Sequence, residues 1–186
     1  MLTANSSVVG APSIRIRIAK EAGLVLAASL LIAVCAWIQV SGPVPFTMQT
    51  FAVMLIAGSL GGTRAVAAVG VYLIEGAAGL PVFANGTAGP AYFATATGGY
   101  LIGFLLSAGL VGLTVERMRL HGVTSLTTAF LVGHVVILAS GFAWLSFWVG
   151  IESALSLGVV PFLVTSVLKS AMAAYGVTIW RRSTSK

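Results

Sequence analysis

Apolar residues run along this chain in long blocks, cut by short stretches rich in glycine, proline and charge. Cutting at those breaks leaves six candidate spans, at residues 22–40, 47–60, 66–80, 92–115, 126–148 and 155–180. A straight helix needs about 20 residues to cross a bilayer core of about 30 Å. The second and third blocks are shorter, so poor tilt, a break, or a partly buried flanking loop is expected there. The pattern predicts an all-α fold, an integral membrane bundle of six transmembrane helices. Residues 1–21 form an N-terminal segment, 22–180 a single membrane domain, and 181–186 a tail.

Charge tests that count independently, because Lys and Arg are retained on the cytoplasmic side of spans. With the N-terminus inside, six spans place Arg15, Arg17, Lys20, Arg64, Arg117, Arg119, Arg181, Arg182 and Lys186 inward, nine of the ten basic residues. A five-span alternative, with 47–60 re-entrant, puts the Arg117/Arg119 and Arg181/Arg182 pairs outside. Both termini are therefore expected to be cytoplasmic.

Composition narrows the class. The chain is 58% hydrophobic and only 8% charged over 186 residues, whereas a soluble domain is about a quarter charged. Four acids and ten bases cannot cover the outside of a water-soluble fold, so a lipid bilayer is the expected solvent. Residues 1–13 are polar before Arg15, Arg17 and Lys20, unlike a cleavable export signal, so the full chain is expected to be retained. The net charge of +6 comes from short clusters beside apolar runs without an aromatic-interleaved stripe, so nucleic acid is not an expected partner. The single cysteine, Cys35, sits in an apolar run with no partner in the chain for a disulfide.

Two ionisable residues fall inside predicted spans, Glu75 in the third and Lys169 in the last. Such groups are costly in a membrane and are functional candidates, although pairing with each other is a simpler alternative. Ala19, Gly23 and Ala27, at four-residue spacing, form a small-residue face that suits either packing within the monomer or docking of another helix. No enzymatic constellation is evident. His134 with Ser140 is the nearest approach to a base and nucleophile, but polar residues in an apolar helix more often bond between helices. No metal-ligand set or cofactor motif occurs, and no GxxxxGK[ST] motif is present, so nucleotide must be handled by another chain.

The predicted outward loops carry more information. Two prolines, Pro43 and Pro45, stiffen the entry to the second span and leave Thr47 and Gln49 near its mouth. The stretch from Gly79 through Phe83 and Asn85 to Tyr92 is too long and apolar for a bare hairpin and is expected to fold back as a lid. Pro161 precedes Lys169 by two helical turns, roughly 12 Å. A buried ammonium suits a carboxylate, Asn85, Gln49 and Thr47 suit a neutral polar head, and Phe83, Tyr92, Tyr100 and Phe162 suit an apolar body. The residues by themselves suggest a small amphipathic carboxylic acid.

Four stretches in this order resemble the BioY family, the biotin-specific substrate-capture components of energy-coupling-factor transporters. They are VPFTMQT from Val44, GLPVF from Gly79, TGGYLIGF from Thr97, and PFL from Pro161 with Lys169. The resemblance implies a multi-pass protein of the bacterial cytoplasmic membrane that captures biotin at the outer face. It implies Lys169 meeting the biotin carboxylate or an adjacent polar group, with Asn85 and Tyr92 in the lid. It also implies that Ala19, Gly23 and Ala27 dock a transmembrane coupling subunit carrying two ATPase subunits. Ser166 stands where the family usually has an acid, three positions before the lysine. That departure leaves altered affinity or vitamin specificity open, with Glu75 as a substitute counter-charge. A self-sufficient secondary carrier, acting alone or as a homo-oligomer, an enzyme centred on His134 and a ligand-free scaffold are the competing expectations.

Overall fold

The computed structural model describes residues 14–184. Its helices are α1 (Ile14–Trp37), α2 (Gln49–Leu60), α3 (Gly62–Ala77), α4 (Gly98–Arg117), α5 (Val123–Val149), α6 (Ile151–Gly158) and α7 (Phe162–Thr184). A two-residue antiparallel ribbon joins β1 (Gln39–Val40) to β2 (Phe46–Thr47), with Gln39 opposite Thr47. Among the described residues, α1, α4, α5 and α7 are long and apolar enough to cross a membrane. The 12 residues of α2 and 16 of α3 give about 18 and 24 Å at 1.5 Å per residue, short of a full crossing, as the block lengths predict.

Boundaries move where local chemistry overrides the apolar pattern. The first helix already includes Arg15, Arg17, Lys20 and Glu21, so these charges extend a helix instead of preceding one; residues 1–13 and 185–186, with the N-terminal start and Lys186, lie outside the described residues. The fourth helix begins at Gly98, not at Tyr92, which sits in a 3₁₀ turn over Pro90–Ala94. The last predicted block splits: α6 ends at Gly158 and α7 starts at Phe162, directly after Pro161, whose missing N–H suits a helix entrance.

Packing runs α1 on α3, α3 on α4, α4 on α5, α5 on α7 and α7 on α2, with α2 also against α4. Glycines permit the closest approaches. At Gly112 an added methyl would meet the backbone of Gly61 and Gly62, so α4 lies directly on the α2–α3 turn. Gly61 itself has φ +84°, the left-handed region that reverses the chain between the two short helices.

The two ends of the bundle differ. At one, Arg181 donates from Nη1 to the Leu120 carbonyl (2.6 Å) and from Nη2 to the Gly58 carbonyl (2.8 Å). There too Arg64 forms a bidentate pair with Glu21, both contacts at 2.7 Å, and the Glu116 side chain lies over Gly61. At the other end, β1–β2 and the segment from Ala78 to Thr97 fold over the helix mouths.

Candidate functional site

Gln49, first residue of α2, is 5% exposed and sits at the centre of a polar relay. Thr47 Oγ1 donates to Gln49 Oε1 (2.8 Å), Gln49 Nε2 donates to the Tyr72 hydroxyl oxygen (2.5 Å), and Tyr72 donates to the Val82 carbonyl (3.2 Å). This chain links the loop before α2 to the loop after α3 through a buried tyrosine of α3. Met48 N donates to the carbonyls of Cys35 (3.0 Å) and Ile38 (3.1 Å), seating the first loop on the end of α1.

Below the relay lies Lys169 of α7, 9% exposed, with Nζ donating to the Thr47 carbonyl at 2.7 Å. An ammonium has three donors, and this carbonyl takes one. Glu75 does not pair with it: Ser29, fully buried on α1, donates its hydroxyl to Glu75 Oε2. The mutual ion pair allowed for these two residues is thus replaced by two separate hydrogen bonds, because α3 turns Glu75 toward α1 while α7 turns Lys169 toward the first loop. Glu75 is accordingly not the lysine's substitute counter-charge in this arrangement.

A cavity of about 50 Å³ is lined by Thr47, Gln49, Thr50, Tyr92, Tyr100, Ser166 and Lys169, with apolar walls from Val44, Leu101, Phe104, Ile137 and Phe162. Tyr100 donates to the Gly158 carbonyl (2.7 Å). Its ring reaches that point because Gly141 and Gly158 carry no side chain; a methyl at either would overlap Tyr100. Phe162 stacks on Phe46 of the first loop with centroids 4.3 Å apart and rings within 11° of parallel, an aromatic contact that joins the start of α7 to the loop.

Six of the eight residues expected at the ligand thus meet at this cavity. Phe83 and Asn85 lie behind it. Phe83 is fully buried, stacked on Tyr92 (4.6 Å), edge-on to Tyr72 (5.5 Å), and set against Gly76, where a methyl would occupy its ring. It backs the wall that Tyr92 presents. Asn85 is exposed in the left-handed conformation (φ 60°), and its Oδ1 accepts from Gln39 Nε2 at 2.6 Å. It ties the second loop to the ribbon, and Trp37 Nε1 donating to the Pro81 carbonyl (3.1 Å) adds a second tie.

The sequence reading passed over His134 and Thr50 as ligand contacts. His134 of α5 is 3% exposed, lines the cavity, and has its Nδ1 3.0 Å from both the Phe130 carbonyl and Ser170 Oγ. Its other ring nitrogen, and Thr50 Oγ1, have no hydrogen-bond partner among the described residues. The signal in the sequence is weak: each lies in a mostly apolar helix that carries other polar residues. Ala19, Gly23 and Ala27 all face outward on α1, and nothing lies within 4 Å of a methyl added at Gly23. Packing within the monomer does not use this row. Beside it, Leu24, Ala27, Leu31, Leu55, Leu60 and Trp180 line an apolar groove of about 430 Å³ between α1, α2 and α7.

Comparison with known proteins places these features in context. The sequence model of the BioY family matches residues 6–186. The biotin transporter BioY of Thermotoga maritima is 42% identical over 146 residues, covering 77% of this chain and 85% of that protein. The probable biotin transporter BioY of Pyrococcus horikoshii is 40% identical over 156 residues, covering 83% and 92%. Among solved structures, the S-component for biotin from an ECF-type ABC transporter superposes with a TM-score of 0.81 at 25% identity, over 92% of this chain and 95% of that one.

Proposed function

The chain belongs to the BioY family, and on that premise we propose how its residues capture biotin. The protein is a multi-pass membrane protein that takes up biotin as the S component of an ECF-type transporter, and it is not an enzyme. Biotin joins a polar bicyclic head to an apolar chain ending in a carboxylate. The observation that carries the site assignment is Lys169, a buried ammonium with donors to spare at the edge of an aromatic-walled cavity. Its Nζ meets an oxygen of the ligand. Gln49, Thr47 and Ser166 supply further polar contacts, and Tyr92 and Tyr100 wall the apolar part. Phe83 holds Tyr92 in place, and Asn85 latches the second loop.

A cavity of about 50 Å³ is small for a bicyclic acid. Biotin therefore enters when the loops around Pro45 and Asn85 part, and is held when the relay from Thr47 to Val82 closes again. With no carboxylate at position 166, the hydroxyl of Ser166 offers a weaker acceptor than an acid, which lowers affinity without removing the site.

In the membrane, α1, α2, α3, α4, α5 and α7 form the six-helix bundle, with α6 lying across its outer end. Both termini are cytoplasmic. The gathering of Arg64, Arg117, Arg119 and Arg181 at the end opposite the cavity supports this orientation, following the inward bias of basic residues. The exposed row of Ala19, Gly23 and Ala27 docks a transmembrane coupling subunit that carries two ATPase subunits, because a face without bulky side chains lets a partner helix approach closely.

Equilibrium titration of the detergent-purified protein with biotin tests the reading. Saturable binding at or below micromolar concentration is expected, and its absence in the wild type would sink it. Uptake into cells with and without the coupling and ATPase subunits then tests whether energised transport depends on them.

A further inference from the structure

His134 is a buried imidazole that the site as described so far leaves unused. It lines the ligand cavity, is 3% exposed, and its Nε2 has no hydrogen-bond partner among the described residues. Leaving a buried polar atom unpaired is costly, so this nitrogen calls for a partner that arrives with the ligand.

The protonation of the ring follows from its other side. Nδ1 lies 3.0 Å from the Phe130 carbonyl, which can only accept. A neutral imidazole therefore carries its hydrogen on Nδ1, shared between that carbonyl and Ser170 Oγ at 3.0 Å. Nε2 is then a bare lone pair, aimed by two contacts on the far side of the ring, much as a second contact orients a histidine ligand at a metal. The cavity is short of such acceptors. None of its lining residues is acidic, Lys169 only donates, the Gln49 carbonyl oxygen already accepts from Thr47, and hydroxyls such as those of Thr50 and Ser166 rotate and fix no direction.

We propose that His134 Nε2 is a specificity contact, accepting a hydrogen bond from a ring N–H of the bicyclic urea of biotin. The inference rests on the biotin reading above. Ser170 acts through it as a positioning residue. A neutral acceptor of fixed direction distinguishes N–H from an isosteric oxygen, a discrimination that apolar walls cannot make.

The test titrates detergent-purified wild type, His134→Leu and His134→Gln with biotin and with its two cyclic carbamate analogues, in which one or the other urea N–H is replaced by oxygen. For wild type, one carbamate isomer is expected to bind roughly 10- to 100-fold more weakly than biotin. For His134→Leu, biotin itself weakens by a similar factor and the preference over that isomer collapses to about 1, since the two losses are one interaction. For His134→Gln, whose Oε1 restores an acceptor, the preference stays within about threefold of wild type. Size-exclusion profiles establish that each variant is folded, and the preference ratio in the glutamine variant decides the matter even where the leucine variant is unstable.

Wild type that binds biotin but does not distinguish either carbamate overturns this inference and leaves the biotin reading intact. So does a leucine variant that weakens biotin and both carbamates equally, which is the mark of a structural role. Wild type that fails to bind biotin overturns both.

Discussion

Two concave regions of this protein are built on opposite principles. The cavity around Lys169 is small, about 50 Å³, and is ringed by Thr47, Gln49, Ser166, Lys169 and His134 in a frame of aromatic rings. The groove between α1, α2 and α7 is larger, about 430 Å³, and its lining is apolar apart from Ser59 and Ser183. Directional polar groups in a dry cavity reward one arrangement of donors and acceptors and penalise others, which is how a small ligand is selected. An apolar groove beside small residues rewards shape alone, which suits a helix that must dock and shift. On the proposed assignment, capture belongs to the cavity and coupling to the groove face, so each is expected to break without the other.

The largest expected effect is at the cavity. Lys169→Ala removes a charge-assisted donor from a site with no other cation among its lining residues, and biotin affinity measured by calorimetry should fall by about 100-fold or more. An unchanged affinity would move the ligand elsewhere. The matching change in the groove region is Ala27→Trp, which fills the exposed small-residue face. Biotin affinity should stay within about twofold of wild type, while co-purification with the coupling subunit is lost and uptake drops by about tenfold. A parallel loss of biotin binding would show that the two regions are not separable.

A smaller effect is expected in the frame between the loops. Tyr72→Phe deletes the hydroxyl that accepts from Gln49 and donates to Val82, leaving a buried amide N–H unpaired. A destabilisation of about 1–3 kcal/mol, read as a midpoint lowered by about 3–8 °C in a thermal melt, is expected. The smallest effect belongs to Asn85→Ala, which unties an exposed latch. Stopped-flow should show biotin release faster by about threefold with an unchanged melt; a loss as large as that at Lys169 would instead make Asn85 a direct ligand contact.

Much of the site was legible because polar residues are conspicuous in an apolar chain. Lys169, Thr47 and Gln49 stand out for that reason, Ser166 through the family resemblance, and all four line one cavity. Asn85 stood out equally, yet its left-handed backbone at φ 60° turns the side chain toward Gln39, a direction composition does not encode. His134 reads from sequence as a packing residue, as a histidine in an apolar helix does until its unpartnered Nε2 is seen. Tyr92 was expected within the fourth helix and is instead in a turn, because stacking on Phe83 holds it there.

What the sequence determined by itself was the solvent, the approximate span ends and the inventory of polar groups, since lipid tolerates few charges and loops collect the basic ones. What only the tertiary structure decided was the rotation of each helix about its axis. In water an amphipathic stripe announces which face is inward; in lipid both faces are apolar and that signal is lost. Hence the pairing of Lys169 with the Thr47 carbonyl and of Glu75 with Ser29, the outward turn of Ala19, Gly23 and Ala27, and the unpartnered Nε2 of His134 all emerge only from how the helices pack.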